Sequence, residues 1–366
     1  MIPRVPPVLA PGRPAGSVNG AAVLVGGLCL VVATALNAVL VHETGLSGDE
    51  PYYTRIAAHP GGPHNFPYAF RLGIPYLVHV LPFSSAVSWE LLALVCAAVA
   101  AGALFALLRD FEVDPRFAAG LAVCFVISPP VLVVLLRNGR GVDVAAILVI
   151  TLGSLFIVRR QRVALAVALL IGTTIHETCL FLIPLAYATW AQRPVDREAL
   201  RDVALVAVLP VLVYVYIRTT VVAVGQAYQP GYTGPFFRAR WDLIQQALGH
   251  GAWKVEVRRL AIVYGPLWIA APFALRRCTF AQRGLVLVGL CVLAMTYAVD
   301  WGRVIFFAAP VFYVAGAYAL RRRSRLAVLA TVVFLALDFG YAGYMQFHGV
   351  KHGLDSTGPP ARGPVH

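Results

Sequence analysis

The sequence has little charge and lacks the cysteine patterns of disulfide-rich or zinc-binding proteins. Charged residues make up 13% of the chain and hydrophobic residues 59%, with a mean hydropathy of +0.75. A soluble domain averages about 25% charged residues, so this composition indicates lipid as the main solvent. The six cysteines form no CxxC or Cys/His pattern, which argues against a disulfide framework and a zinc site.

The chain also lacks a convincing internal repeat and any stretch long enough for a soluble domain. Its net charge of +13 comes from basic residues scattered in short clusters between apolar runs. Membrane topology explains this distribution better than nucleic-acid binding. The first apolar run follows Arg4 and Arg13 and has no small-residue cleavage site behind it, so we interpret it as a retained span and not as a signal peptide.

The apolar runs predict an all-α, polytopic transmembrane helical bundle. A helix that crosses a bilayer needs about 20 apolar residues. The run at 163–190 is too long for one span and has polar residues at its middle, which predicts two short helices that meet near the outer face. With that pair there are about 11 membrane segments, the others lying near 19–41, 86–108, 117–136, 142–158, 203–224, 260–275, 284–299, 304–320 and 326–344.

These runs form a single transmembrane domain over 19–344, with outer loops at 42–85 and 225–259 and disordered tails at 1–18 and 345–366. Basic residues are more frequent in the segments that face the cytoplasm if the N-terminus is inside. The sequence therefore predicts a multi-pass protein of the plasma membrane, with a cytoplasmic N-terminus and a C-terminus outside. Low lysine with high arginine, alanine and valine suggests a GC-rich bacterial source.

Charges at membrane depth are costly, so they mark function or a paired contact. Asp49 and Glu50 follow the first span and precede the aromatic residue Tyr52. A carboxylate held there could act as a general base on a bound hydroxyl. Asp49 is equally suited to cap a helix that begins at Glu50-Pro51, and the two interpretations are compatible.

Several arginines occur in the predicted outer segments. Arg71 could face an anionic group or simply extend to the interface. Arg137 and Arg140 lie in an outer turn, where the charge bias disfavours them, so one of them is a candidate phosphate ligand. Asp143 is predicted to be the first charge of the next helix and to pair with Arg140.

Two further polar groups interrupt apolar runs. His176 and Glu177 are predicted to line a cavity between the two short helices, because irregular backbone at membrane depth needs protein or water around it. A capping box of Thr174 and Glu177 is the structural alternative. Asp300 and Arg303 could pair with each other, or Arg303 could hold a lipid phosphate.

Together these features resemble the GT-C superfamily of membrane glycosyltransferases over about residues 19–320. The resemblance is carried by Asp49-Glu50, the stretch Phe70-Arg71-Leu72-Gly73-Ile74-Pro75, the helix pair around His176-Glu177 and the late turn Asp300-Trp301-Gly302-Arg303. The sequence departs from better-known relatives in having no large soluble domain after the last span. His176-Glu177 also stands where many relatives have a lysine or arginine, which questions a phosphate-binding role there.

The resemblance implies a glycosyltransferase that uses a polyprenyl-phosphate sugar donor. It would transfer the sugar with inversion to a hydroxyl of a cell-envelope glycan, glycolipid or protein on the non-cytoplasmic face. Asp49 or Glu50 would be the general base. The arginines would stabilise the departing phosphate, and they are Arg71, Arg137, Arg140 and Arg303. The cavity-lining residues would be His176, Glu177, Asp300 and Tyr52.

Other functions remain open at this stage. A secondary transporter also contains buried ionisable residues, although transporters usually have two broken helix pairs and this sequence has one. A lipid-linked glycan ligase or polymerase and a non-catalytic lipid-binding scaffold are further alternatives. Cofactors are unknown, since two adjacent carboxylates are weak grounds for a divalent cation. The expected partners include membrane lipid and exclude nucleic acid.

Overall fold

The computed structural model describes residues 15–39, 49–136, 140–226, 257, 260–295 and 301–348. The described chain is mostly helical. Its named elements, in chain order, are α1 (Ala15–Val39), α2 (Glu50–Ala58), β1 (His64–Phe66), a 3-10 turn (Tyr68–Phe70), α3 (Gly73–Val80), α4 (Ser85–Asp110), α5 (Pro115–Ile127), α6 (Pro129–Leu136), α7 (Asp143–Val158), α8 (Arg162–Ile175), a 3-10 turn (Glu177–Phe181), α9 (Leu182–Trp190), α10 (Arg197–Thr220), β2 (Ala223–Gln226), α11 (Leu267–Ala274), α12 (Thr279–Met295), α13 (Trp301–Phe306), α14 (Ala309–Leu320) and α15 (Ser324–His348).

Within these ranges, four helical segments are long and apolar enough to cross a membrane: Gly20–Val39, Ser85–Asp110, Arg197–Thr220 and Ser324–Tyr344. Shorter apolar helices accompany them, among them α5, α7, α8, α12 and α14. This confirms the prediction of a helical membrane protein. A helix keeps all of its backbone hydrogen bonds within one segment, which is why it is stable in lipid.

Burial separates the central helix of the bundle from the peripheral ones. The most apolar window of α4 is 78% buried, whereas the corresponding windows of α1, α10 and α15 are 17%, 28% and 28% buried. Small residues let α1 approach α4 closely, since a Cβ built on Gly102 would lie 2.8 Å from the carbonyl oxygen of Ala22. Close backbone approach of this kind is a common source of helix packing in lipid. We therefore place α4 in the protein interior and the exposed apolar faces of the other three helices against lipid.

The structure interrupts two of the predicted spans. The run at 117–136 forms α5 and α6, separated at Ser128, because Pro129 has no backbone N–H with which to continue α5. The run at 304–320 forms the end of α13 and all of α14, with a turn at residues 307–308 before Pro310. Both breaks correct the prediction of single continuous helices.

The run at 163–190 does form two short helices, α8 and α9. The break occurs at His176, whose backbone is extended (φ −158°, ψ 136°) and which is followed by the 3-10 turn Glu177–Phe181. The predicted boundaries of the tails are wrong by a few residues, because α1 begins at Ala15 and α15 continues to His348. The remaining tail residues, and most of the loop at 225–259, lie outside the described ranges.

Almost no sheet accompanies the helices in the described ranges. The loop at 42–85 contains α2 and α3 together with β1, which pairs in parallel with β2 at His64–Ala223 and Phe66–Gln226. This two-stranded sheet connects the loop at 42–85 to the segment that follows α10. The paired residues are separated by about 160 positions along the chain.

Helix direction gives the bundle two ends. The start of α7 and the ends of α8 and α10 lie at one end, which we call the site end. The end of α4 and the starts of α8 and α10 lie at the other, which we call the far end. At the far end Arg159 binds Asp110 with 2.7 Å between Nε and Oδ2, and Arg162 binds Asp202 at 2.5 Å.

Candidate functional site

Asp49 occupies the residue before α2, and Pro51 lies in the first turn of that helix. Its side chain makes no capping hydrogen bond. Instead Oδ1 accepts a hydrogen bond from the Tyr68 hydroxyl at 2.5 Å, and Oδ2 lies 3.3 Å from the Nη1 donor of Arg303. The carboxylate is only 12% exposed. Asp49 therefore starts the helix by position, but its carboxylate belongs to a tertiary network.

Arg303, on α13, joins Asp49 to the start of α7. The same Nη1 atom donates to Oδ2 of Asp143 at 3.1 Å, and Asp143 is 7% exposed. The expected pairing of Asp143 with Arg140 is therefore wrong. Arg140 lies half-buried in the preceding turn and forms no ion pair with any other residue in the described ranges. Two carboxylates, distant in sequence, share one guanidinium instead.

Arg71 follows the 3-10 turn Tyr68–Phe70 and binds Glu177 through two nitrogens. Its Nη2 and Nε lie 2.7 Å and 3.2 Å from the two carboxylate oxygens of Glu177, and Nη1 donates to the Tyr53 hydroxyl at 2.9 Å. Burial opposes ionisation of both groups, but each charge stabilises the other. As a result Arg71 holds the pKa of Glu177 well below its usual range, and Glu177 raises the pKa of Arg71 further. This two-point contact is the strongest ion pair of the network.

His176 lies at the break between α8 and α9, outside the membrane-length helices. Its Nδ1 accepts a hydrogen bond from the Thr178 backbone N–H at 3.2 Å, and its ring contacts Phe307 with centroids 5.5 Å apart. Burial first, and then the charge of Arg71, lower the pKa of His176 to about 4. The ring is therefore neutral at pH 7, and its 3.8 Å approaches to Asp143 and Glu177 are not ion pairs.

The contacts of this segment correct one expectation and leave the other a prediction. His176 is 8% exposed and packs against Phe307, whereas the Glu177 side chain is 32% exposed, and their place in a cavity stays a prediction. The capping box does not form, because the Thr174 hydroxyl donates to the Ile171 carbonyl and the Glu177 carboxylate faces Arg71. Thr178 and His176 form the local cap instead.

An aromatic layer supports the network. Tyr52 stacks on Tyr68 with ring centroids 4.6 Å apart, and Tyr53 meets Tyr68 edge-on at 5.1 Å. Tyr53 also contacts Trp89 of α4, which is buried. Burial raises the pKa of Tyr53 far above its usual value, so its hydroxyl remains protonated as it accepts from Arg71. These rings fix the position of the Tyr68 hydroxyl against Asp49.

Arg218 is the network residue that the sequence analysis missed. It lies in the last turn of α10, where Cζ is 4.2 Å from the centroid of the Phe70 ring and 5.2 Å from that of Tyr214. Its Nη2 is 3.7 Å from Glu177. An arginine at the end of an apolar span, at the same end of the bundle as the other charges, was the available signal. It was overlooked because a terminal arginine commonly extends to the interface.

The remaining predicted site residues are Glu50, Arg137 and Asp300. Glu50 is the first residue of α2 and is buried. Arg137 and Asp300 lie outside the described ranges, and so does the expected Asp300–Arg303 pair. Among the described residues, no group of three or more His, Cys, Asp and Glu side chains is arranged to hold a metal ion. The site carboxylates Asp49, Asp143 and Glu177 have arginines as their cations.

The arrangement can orient a proton acceptor and stabilise an anion within one compact region. Asp49 is held by two donors, yet each carboxylate oxygen can accept more than one hydrogen bond, so the group can still receive a proton. Arg303 contacts Asp49 directly, and Arg71 and Arg218 both lie close to Glu177. No protein-family model matches the chain, and a comparison with curated proteins finds no significant match, so the chemistry has to be inferred from this geometry.

Proposed function

We propose that the protein is a membrane glycosyltransferase that moves a sugar from a polyprenyl-phosphate donor to an acceptor hydroxyl, with Asp49 as the general base. The observation that carries the proposal is the contact of Asp49 with Arg303, beside the Arg71–Glu177 pair, at one end of an apolar helical bundle. A base and several cations at a membrane boundary suit a substrate with a charged head and a long apolar tail.

In the proposed reaction the acceptor hydroxyl gives its proton to Asp49 as its oxygen attacks the anomeric carbon of the sugar. The bond between that carbon and the phosphate oxygen breaks, so the configuration inverts and the electron pair leaves with the polyprenyl phosphate. Arginines offset the charge that develops on this leaving group. Tyr68 and Arg303 orient the carboxylate throughout, since each binds a different oxygen.

Asp49 is preferred to Glu50 as the base because its carboxylate lies within the arginine network. The architecture that accompanies this proposal has about 11 membrane segments and resembles the GT-C superfamily. We further propose that the site end faces outward in the plasma membrane, with the N-terminus in the cytoplasm and the C-terminus outside. The acceptor would then be a cell-envelope glycan, glycolipid or protein.

The proposal is tested by incubating the purified protein with a panel of radiolabelled polyprenyl-phosphate sugars and a mixed acceptor fraction from bacterial envelopes. We expect labelled product with at least one donor. Asp49→Asn should lower the rate by about 100-fold or more, the usual contribution of a general base. The matched control is Asp110→Asn, which removes a carboxylate bound to an arginine at the far end.

Product from Asp49→Asn at the wild-type rate would exclude the proposed base but not the enzyme class. The absence of product with every donor and acceptor, from protein that is folded and monodisperse, would reject the glycosyltransferase proposal itself.

A secondary transporter is the second candidate, and Asp338 is the observation that favours it. This residue lies in the membrane-length part of α15, is 1% exposed, and neither of its carboxylate oxygens has a hydrogen-bond partner among the described residues. Buried ionisable groups in membranes often belong to ion or proton pathways. In proteoliposomes with an internal pH dye, proton flux that is driven by solute and lost in Asp338→Asn would support transport over glycosyl transfer.

A further inference from the structure

Three arginines of the network, Arg71, Arg303 and Arg218, differ in how completely their donors are already used by the protein. All three types of nitrogen of Arg71 are engaged, with Glu177 on one side and Tyr53 on the other. Its side chain is 13% exposed. A substrate phosphate could bind Arg71 only by displacing Glu177 from a two-point contact.

Arg303 is also committed to protein carboxylates. Its Nη1 contacts both Asp49 and Asp143. One positive charge lies between two negative charges there, so the surroundings of Arg303 are acidic and would repel a phosphate. Arg303 is therefore better suited to orienting the base than to holding the leaving group.

Arg218 has a different environment. Its guanidinium packs on the face of Phe70 at 4.2 Å, and Glu177, the carboxylate with which it pairs in the described ranges, is 3.7 Å away, beyond hydrogen-bond distance. Its Nε is buried and has no hydrogen-bond partner among the described residues. Glu177 is already neutralised by Arg71. Arg218 thus presents a positioned cation with donor capacity that the described protein does not use.

The position of Arg218 also suits a lipid. It lies at the end of α10, whose most apolar window is only 28% buried. One and two turns before Arg218, on the same side of α10, the large apolar residues Val215 and Val211 are exposed. A lipid chain that packed along this side would bring its phosphate to the level of the last turn, where Arg218 is located.

On the basis of the proposed function, we infer that Arg218 binds the phosphate of the lipid-linked donor while the polyprenyl chain lies against α10. A guanidinium can donate through its two terminal nitrogens to two phosphate oxygens, and the aromatic face of Phe70 fixes its plane. Glu177 separates Arg218 from Arg71, so the sugar would extend from the phosphate towards Asp49. Arg218 replaces Arg71 and Arg303 as the phosphate ligand in this assignment.

The test measures the binding of a radiolabelled polyprenyl phosphate without sugar to the full chain in nanodiscs of neutral lipid. We expect the wild type to prefer it to the uncharged polyprenol of equal length by at least about tenfold, the effect of one charge-assisted hydrogen bond. Arg218→Gln should remove this preference. Arg218→Lys should retain a reduced preference, because the charge remains and the two-point geometry is lost.

The matched control is Arg162→Gln, which removes an arginine that binds Asp202 of the same helix α10 at the far end. It should leave the preference unchanged. A preference that survives in folded Arg218→Gln overturns the assignment. If Arg218→Gln does not fold, Arg218→Lys decides, and binding identical to the wild type then overturns it.

Competition distinguishes the sources of phosphate. Excess polyprenyl phosphate should displace the label, whereas inorganic phosphate and phosphatidylglycerol should not. Equal competition by phosphatidylglycerol would mean an ordinary anionic-lipid contact and would overturn the assignment to the donor. Equal competition by inorganic phosphate would do the same.

Kinetics separate this inference from the proposed function. Arg218→Gln should raise KM for the donor more than it lowers kcat, whereas Asp49→Asn should lower kcat. Transfer with an unchanged KM in Arg218→Gln refutes the inference and leaves the enzyme class intact. Arg218-dependent binding of the lipid phosphate, without transfer to any acceptor, supports the lipid site and refutes the glycosyltransferase.

Discussion

The two ends of the bundle use arginine and carboxylate side chains differently. At the far end, Arg159 binds Asp110 and Arg162 binds Asp202, so neighbouring helices are joined pair by pair. At the site end the groups are shared. Arg303 contacts both Asp49 and Asp143, and Glu177 is close to both Arg71 and Arg218.

Pairing and sharing have different physical consequences. Pairs that join neighbouring helices stabilise the bundle, and a ligand gains little by replacing either partner. In a shared network each charged group has more than one partner of opposite charge. An anionic ligand can therefore bind an arginine at the edge of the network while the other contacts remain. The comparison suggests that the far end serves stability and that the site end serves chemistry as well.

The largest expected effect comes from breaking one pair at each end. Asp110→Asn should cost about 3 kcal/mol of unfolding free energy, because Arg159, whose side chain is only 17% exposed, loses a two-point contact. Glu177→Gln should cost about 2 kcal/mol, because Glu177 is 32% exposed and partly screened. Unfolding in mixed micelles measures both values. Only Glu177→Gln should also reduce sugar transfer, and equal losses of activity at both ends would contradict the comparison.

A smaller effect is expected from removing one hydroxyl at the site end. Tyr68→Phe deletes the donor to Oδ1 of Asp49 and leaves Arg303 on Oδ2. We expect kcat for transfer to fall by about tenfold, the effect of losing one hydrogen bond to a charged group. Tyr76→Phe is the matched control in the same loop, since that hydroxyl donates only to the Pro60 carbonyl in the described contacts. A Tyr68→Phe enzyme with wild-type kcat would show that Asp49 needs no orientation.

We expect acid to lower the stability of the folded protein through protonation of His176. The folded protein keeps this ring neutral down to a pKa of about 4, whereas the unfolded chain protonates near 6.5. The unfolded state then binds more protons between these values, so stability is highest above about pH 6.5 and falls as the pH is lowered to 4. The lowered pKa of Glu177 acts in the same direction at lower pH.

Melting temperatures in detergent between pH 7.5 and pH 4 check this dependence. His176→Gln should flatten the curve in that range, whereas His59→Gln, on the exposed surface of the first loop, should leave its shape unchanged. A His176→Gln curve parallel to that of the wild type would mean that other groups cause the acid effect.

The smallest effect concerns a carboxylate that belongs to neither end. Asp338→Leu removes a buried group whose oxygens have no hydrogen-bond partner in the described ranges. Because an apolar side chain of similar shape avoids that cost, we expect a gain of about 1 kcal/mol. The sign is opposite to that for Glu177→Gln. A large loss of stability would instead show that Asp338 has an essential partner.

Part of the fold could be predicted from the sequence alone. Apolar run lengths predicted the helical membrane class, and the polar residues at 172–177 predicted the division into α8 and α9. The break at Pro129 was not predicted, although a proline commonly ends a helix. The apolar run at 117–136 is long enough for one span, but Pro129 ends α5 within it. The β1–β2 pair was not predictable, because its strands have few residues and lie far apart in sequence.

For the candidate site, too, the sequence predicted some features and missed others. Asp49, Arg71, Glu177 and Arg303 were selected because charges are costly near lipid, and this reasoning needs only composition and position. The partners were harder to predict. Asp143 was assigned to Arg140, three residues away, but the structure pairs it with Arg303. Arg218 was not selected, because its contact with Phe70 depends on the packing of α10 against the first loop.

The sequence by itself determined that this chain is a helical membrane protein with scarce charges gathered near helix ends, since a hydrocarbon solvent restricts both the backbone and the side chains. Tertiary structure alone decided which carboxylate meets which arginine. An ion pair depends on a few ångströms of separation, and for residues brought together from distant segments that separation is fixed by the packing of helices, which local sequence does not specify.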